Sequence, residues 1–297
     1  MSEYAYFPGC SLRATGMAYE KSLLEVFRIL GLKLNEIEDW NCCGATSYMS
    51  IDEDAAFVLS ARNLALAAKQ GASEVVAPCS ACYLVLRKTE DYATRYPTIR
   101  KRVDEALQIA ELPPIDWMKV RHPVEVLFND VGVGMVKAKT VRKWQGGKLA
   151  CYYGCQMLRP YYETDRPQDP IRMDELMHAA GATTIQWALK TKCCGGSLTG
   201  TIREVGVRLN EILIAEAVRK GAEAIVTCCP LCQFNLDAYQ REMNGGRGYD
   251  IPILYFTQVL GWALGADRDK LGFQHSIAGG KVLKQWFPAR EEVMANA

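Results

Sequence analysis

Ten of the twelve cysteines in this 297-residue chain fall into one arrangement that occurs twice. Cys10, the vicinal pair Cys42–Cys43, and Cys79 with Cys82 make the first set; Cys155, Cys193–Cys194, and Cys229 with Cys232 make the second. The spacings are C-x31-C-C-x35-C-x2-C and C-x37-C-C-x34-C-x2-C, and glycine follows each vicinal pair. Thiolates in such numbers bind soft metals or exchange disulfides. A structural zinc takes four ligands, commonly from two separated CxxC pairs, and vicinal cysteines rarely share one tetrahedral ion. A redox dithiol uses CxxC but gives no role to Cys10, Cys42, Cys43 or their counterparts. Five thiolates around one pocket fit an iron–sulfur cluster better, although an ordinary cubane needs only four. The fifth implies an unusual cluster or a bridging thiolate. Cys151 and Cys228 lie outside the pattern and read as small buried hydrophobes.

The sequence around the cysteines is duplicated too. Tyr4-Ala-Tyr-Phe-Pro-Gly-Cys10 mirrors Leu149-Ala-Cys-Tyr-Tyr-Gly-Cys155, and Lys69-Gln-Gly-Ala-Ser-Glu-Val-Val76 mirrors Arg219-Lys-Gly-Ala-Glu-Ala-Ile-Val226. A repeat of such long period means two similar domains, expected at residues 1–147, with connecting helices, and 148–297, with a C-terminal tail; Gly146–Gly147 marks the boundary. Each repeat reads strand, helix, strand, helix, strand. Tyr4–Phe7 is the first strand, and a helix follows with Leu23, Val26, Phe27 and Leu30 on one face and Gly31 as its stop. Leu32–Ile37 is the second strand. Asp52 to Gln70 forms a long helix with Leu64, Ala65 and Ala68 on its buried stripe, and Glu74–Ala77 is the third strand. The second repeat is expected to copy this, with Leu209, Ile212, Leu213 and Ala217 lining the helix before Gly221. Further helices are expected over Thr98–Ala110 and Val124–Val136, and after Gly265 a polar, Gly-rich extended tail that docks on a partner or on the body.

Strands alternating with helices predict an α/β fold of two pseudo-symmetric, Rossmann-like units with parallel sheets. All cysteine loops then lie at the carboxyl edge of the strands, where residues distant in sequence converge beside helix N-termini. That edge suits an anionic cluster, because free N–H groups and the helix dipole offset negative charge.

Composition excludes several classes. With 49% apolar residues the chain can fill two cores, and a formal charge of +1 gives no argument for nucleic acid or an acidic membrane surface. The start lacks the basic-then-apolar layout of a secretory signal. The longest apolar run, Ile251 to Leu264, is broken by Thr257, Gln258 and Gly261, so no membrane span is expected. Cysteines as vicinal and CxxC pairs in a large chain without a signal favour metal or redox chemistry over disulfides, and a cytoplasmic location.

Phe7-Pro-Gly-Cys-Ser-Leu12, Trp40-Asn-Cys-Cys-Gly-Ala45, Ala77-Pro-Cys-Ser-Ala-Cys82, Cys193-Cys-Gly-Gly-Ser-Leu198 and Cys229-Pro-Leu-Cys232 resemble the duplicated cysteine-rich (CCG) domain of the B-type subunit of heterodisulfide reductase, and the likeness covers nearly the whole chain. The resemblance implies two noncubane [4Fe-4S] clusters, one on Cys10, Cys42, Cys43, Cys79 and Cys82, the other on Cys155, Cys193, Cys194, Cys229 and Cys232. It implies cleavage or formation of a disulfide between them, one sulfur and one electron to each cluster. The substrate would be a small-molecule or lipoyl disulfide. Where the methanogen-type motif has Gly-Cys-His this chain has Gln156, which cannot donate a proton as imidazolium can, and its Pro-Gly-Cys-Ser-Leu start looks like bacterial relatives. CCG domains also occur in subunits of 2-hydroxyacid and glycerol-3-phosphate oxidising systems, where they relay electrons without disulfide chemistry.

No GxGxxG, Walker or G-x-S-x-G motif is present, so no flavin or nucleotide site is expected in the chain itself. No C-x2-C-x2-C-x3-C-P run occurs either, which points to a ferredoxin-like subunit and a flavoprotein as partners. His122, His178 and His275 lie outside the cysteine motifs, and His122, before Pro123, reads as a loop or helix-start residue. Arg159 is placed to bind a substrate carboxylate or to cap a loop. Tyr152, Tyr153, Tyr161 and Tyr162 read mainly as packing around Cys155.

Overall fold

The computed structural model describes residues 2–45, 48–115 and 118–288. In chain order its main elements are β1 (Glu3–Tyr6), α1 (Met17–Leu30), β2 (Lys33–Glu36), α2 (Glu53–Lys69), β3 (Glu74–Val76), α3 (Ser80–Arg95), α4 (Pro97–Ile109) and β4 (Lys119–Arg121). The second half follows with β5 (Leu149–Tyr152), α5 (Arg172–Ala179), α6 (Arg203–Arg219), β6 (Ala224–Thr227), α7 (Pro230–Ala238), β7 (Ile253–Tyr255) and α8 (Phe256–Ala263). Two parallel sheets result, ordered β2-β1-β3-β4 and β5-β6-β7. The register aligns their carboxyl ends: Tyr6 lies beside Glu36 and Val76, Val76 beside Arg121, and Thr227 beside Tyr152 and Tyr255. The α/β class and the two parallel-sheet repeats match the sequence expectation.

Local chemistry accounts for the helices. On α1, Leu23, Val26 and Phe27 are buried at i, i+3 and i+4. The helix ends where Gly31 turns left-handed at φ 82° and its N–H returns to the Arg28 carbonyl. On α2 the Asp52 carboxylate accepts the Ala55 N–H at 3.0 Å, and Glu53 and Asp54 complement the N-terminal dipole.

Four expectations need correction. The helix expected over Val124–Val136 is broken: a first segment ends at Val131, Gly132 turns at φ 80°, and a second runs Val133–Lys139. The second strand of the second repeat shrinks to one bridge, Leu149 with Thr184, because the chain then turns away and Trp187 Nε1 donates to the Cys151 carbonyl. On α6 the buried face is Gly206, Asn210, Leu213, Ile214 and Ala217, while Ile212 is 43% exposed. The segment after Gly265 does dock on the body, one of the two outcomes expected, but it is not extended. Leu271, Phe273, Leu283, Trp286 and Phe287 are buried and fold it into short helical turns on the body, with Phe287 stacked on Phe273 at 4.1 Å. Residues 289–297 lie outside the described residues.

The halves exchange helices. The α8 helix packs on α1 of the first repeat: Tyr255 stacks on Tyr19 at 4.6 Å, and the Thr257 and Ser22 hydroxyls meet at 2.6 Å. In return Val133–Lys139 packs on α5 of the second repeat, and the Thr140 hydroxyl donates to the Ala179 carbonyl. One continuous apolar core therefore runs from Phe7 and Val26 to Phe256 and Leu260.

Candidate functional site

Each cysteine set hangs from the carboxyl edge of its sheet. Cys10 follows β1 on the short turn Gly9–Leu12, Cys42 and Cys43 precede α2, and Cys79 caps α3 with Cys82 in its first turn. The second set repeats this, with Cys229 capping α7. Burial divides both sets alike. Cys43, Cys79 and Cys82 are buried, as are Cys194, Cys229 and Cys232, whereas Cys42 and Cys193 are exposed. Cys10 is exposed and Cys155 half-buried. All are free thiols; Cys43 and Cys82 sulfurs lie 3.2 Å apart, and Cys194 and Cys232 sulfurs 3.5 Å. Cys151 and Cys228 are fully buried, as expected of packing residues.

Glycines let the backbone approach the sulfurs. Gly9 (φ 69°) lies so close that a Cβ there would stand 2.9 Å from Cys82 Sγ, and one at Gly154 (φ 71°) 3.1 Å from Cys232 Sγ. Gly195 N–H donates to Cys193 Sγ at 3.2 Å and Gly44 N–H to Cys42 Sγ at 3.5 Å.

The thiols tune one another. Hydrogen bonds from Cys42 and Cys82 hold Cys43 well below the ordinary thiol range, and one from Cys232 lowers Cys194. Cys155 donates to Cys193 and draws it down to about 6. Cys79 is lowered first by a hydrogen bond from Cys229. Thiolate character is what a metal ligand needs.

A cavity of about 200 Å³ opens at the junction. All five second-set cysteines line it with Gln156, and Ala45, Ser80 and Ala81 of the first half form the opposite wall. Among the described residues no three His, Cys, Asp or Glu side chains close on one point as a single ion would require. The fit to a cluster rests instead on donor chemistry: five thiols per set, left-handed glycines beside them, and backbone N–H groups turned to sulfur.

The remaining candidates are fixed by their partners. Arg159 donates to the Thr191 carbonyl and hydroxyl, both at 3.0 Å, which makes it a clamp on the loop before Cys193. Tyr152 and Tyr153 are buried, Tyr161 donates to Asp91 on α3, and Tyr162 is exposed. His178 and His275 are exposed. His122 does start a helix, accepting the Val124 N–H on Nδ1, but it is also buried with Nε2 donating to the Pro78 carbonyl beside Cys79. Burial pushes it down to about 4, so the imidazole is neutral.

Three supporting groups escaped the sequence reading. Lys190, almost wholly buried, bonds Asp174 Oδ1 and the Pro170 carbonyl; its own carbonyl accepts the N–H of Tyr153 and Gly154, and the Tyr153 hydroxyl donates to Asp174. Asn63 exchanges two hydrogen bonds with the Asn41 backbone before Cys42. Asn235 donates to the Gly196 carbonyl at 2.8 Å and toward Cys194 Sγ at 3.5 Å, while its Oδ1 accepts the Thr199 hydroxyl at 2.9 Å. The signal for the last lay three residues past Cys232, inside α7.

A family model described as the cysteine-rich domain CCG matches residues 4–87 and 149–237, each stretch running from the first strand into the CxxC helix. The chain belongs to the CCG family. Among CCG relatives, the 8-methylmenaquinol:fumarate reductase membrane anchor subunit of Wolinella succinogenes is 30% identical, over 93% of this chain and 96% of its own. The B-type subunit of a ferredoxin/F420H2-dependent CoB-CoM heterodisulfide reductase from Methanosarcina acetivorans is 27% identical over 93% and 94%. A protein of Archaeoglobus profundus named for its likeness to the same heterodisulfide reductase subunit is 29% identical over 91% and 93%. A hypothetical protein from Helicobacter pylori shares the fold, with a TM-score of 0.71 at 14% identity; this CCG chain is covered to 93% and spans 52% of that one. Among the described residues no helix is long and apolar enough to cross a membrane.

Proposed function

We propose that this CCG protein is the iron–sulfur subunit of a heterodisulfide reductase-like complex and that it cleaves or forms a disulfide. The observation that carries the reading is the cavity at the junction, lined by all five second-set cysteines and walled on the other side by Ala45, Ser80 and Ala81, the last two lying between Cys79 and Cys82. Cys10, Cys42, Cys43, Cys79 and Cys82 would hold one [4Fe-4S] cluster, and Cys155, Cys193, Cys194, Cys229 and Cys232 the other; five ligands per site favour a noncubane form. When bound, such clusters supply one-electron steps, so a change that takes two electrons and two protons per disulfide is divided between two sites.

The chain's own residues do the rest. Gln156 lines the cavity and can hydrogen-bond a substrate amide or sulfur but cannot act as an acid. Arg159 and Lys190 hold the Cys155 and Cys193 loops. With no nucleotide-binding motif in the sequence, electrons would be exchanged with a ferredoxin-like subunit joined to a flavoprotein, and the relatives named as reductase subunits support a complex.

The test is chemical and spectroscopic. Anaerobically purified protein should contain about eight irons per chain, from two four-iron clusters. Cys42→Ser should leave about half of that. Oxidation in the presence of small thiols, lipoamide included, should perturb the cluster EPR signals. Stoichiometric zinc without iron would overturn the cluster reading. A pure electron-relay role is the second reading, favoured by the likeness to a fumarate reductase subunit. Signals indifferent to every thiol while electrons still pass to a partner would establish that role instead.

A further inference from the structure

The two cysteine sets match in thiol number and, Cys10 and Cys155 apart, in burial, but a side chain that reaches a ligand sulfur in the second set has no counterpart in the first. Cys82 and Cys232 correspond in the repeat, so three residues further on Val85 stands in the first half where Asn235 stands in the second. Both are buried. Val85 has no side-chain N–H to offer. Asn235 has two, and its orientation is pinned, because its Oδ1 accepts the Thr199 hydroxyl at 2.9 Å. One N–H is taken by the Gly196 carbonyl at 2.8 Å; the other faces Cys194, with the carbonyl at 3.4 Å and Sγ at 3.5 Å. Asn210 steadies the same loop by donating to the Cys194 carbonyl at 3.0 Å. Its counterpart in the first repeat, Ser60, has a buried hydroxyl without a partner.

We infer that Asn235 is a potential-setting residue: its amide hydrogen bond to Cys194 raises the reduction potential of the second site and draws electrons from the first site toward the cavity. The inference rests on the cluster reading above. A hydrogen bond to a ligand sulfur stabilises the more negative, reduced form, which raises the potential of an iron–sulfur centre. Solvent access works in the same direction at both sites, since Cys42 and Cys193 are both exposed; the greater exposure of Cys10 is the one opposing difference. The fixed amide is the feature confined to the side where all five thiols line the cavity. Substrate sulfur bound there would face the better electron acceptor of the two sites.

The experiment is an EPR-monitored redox titration of the anaerobic protein, with Cys42→Ser used to assign the second-site signal. Asn235→Val, which installs the first repeat's residue, should lower the second midpoint while leaving the first in place. A tenfold change in the equilibrium between the sites is the expected scale, or ~59 mV for one electron. Because Asn235 also holds Gly196 and Thr199, the reverse exchange, Val85→Asn, is the companion variant. It should raise the first midpoint without loss of iron. A proton coupling of the second site that is lost on transfer to deuterated buffer should be present in the unaltered protein and missing from Asn235→Val. Unshifted midpoints in both variants at full iron content would overturn the inference and leave the cluster reading standing. Protein without iron would overturn both.

Discussion

Gly9 and Gly154 stand in the same place before the first cysteine of each set, yet the space for a side chain differs. A Cβ at Gly9 would lie 2.9 Å from Cys82 Sγ, a separation that forces a shift, against 3.1 Å from Cys232 Sγ at Gly154. Both residues also hold a left-handed φ, which costs a non-glycine residue on the order of 1 kcal/mol. Gly9→Ala should therefore cost more iron than Gly154→Ala, and iron per chain in the former should fall toward half. His122 gives a pH signature. Folded, it titrates at about 4; unfolded, a histidine titrates near 6.5. Between those values the unfolded chain binds a proton that the folded chain refuses, so stability falls as pH drops from about 6.5 to about 4, by about 3 kcal/mol in all. Anaerobic denaturant titrations across that range should show the slope, and His122→Gln should flatten it. At this scale the cysteines were legible because they repeat in type and spacing. His122 was legible as a helix start, but its bond to Pro78 depends on β4 lying beside β3, and nothing local announces that neighbour.

Among the elements, the loop from β5 to α5 shows how a buried charge can organise a site. The Lys190 ammonium and the Asp174 carboxylate are both buried, 3.2 Å apart, while the Lys190 carbonyl holds the Tyr153 and Gly154 N–H groups that lead into Cys155. Replacing Lys190 by methionine would strand Asp174 and the Pro170 carbonyl, a loss of about 3 to 5 kcal/mol. The denaturation midpoint should fall accordingly, and the second-site EPR signal should broaden or disappear before the first. The helix periods of α1 and α2 and their glycine stops were readable from sequence, because an apolar stripe and a left-handed residue are local properties. On α6 Leu213 and Ala217 are buried as expected, but Asn210 turns inward to bond the Cys194 carbonyl, so a polar residue occupies a core position and Ile212 is left outside. The missing strand beside β5 is likewise a tertiary outcome, set by Trp187 reaching the Cys151 carbonyl.

At the scale of the molecule, the duplication showed two units, but not that each lends a helix to the other. With α8 on α1 and Val133–Lys139 on α5, residues 1–147 and 148–297 expressed apart would each expose an apolar face meant for the other. Each half alone should lack a cooperative unfolding transition, and the two co-expressed should recover one complex with the iron content of the intact chain; independently folding halves would show that the exchange is dispensable. Periodicity cannot reveal such an exchange, since a helix stripe is equally apolar whichever partner covers it. The same exchange sets a schedule for synthesis. Tyr19 and Val26 of α1 are covered by residues that leave the ribosome more than two hundred positions later. At 5 to 20 residues per second that is a wait of roughly 10 to 45 s. From the moment Cys82 is made, the first thiol set is complete while its supporting helix is still bare. On the cluster reading proposed above, iron delivery to Cys10, Cys42 and Cys43 belongs after α8 has reached α1, and a maturation factor that shields nascent thiols would have its longest task at the N-terminal half.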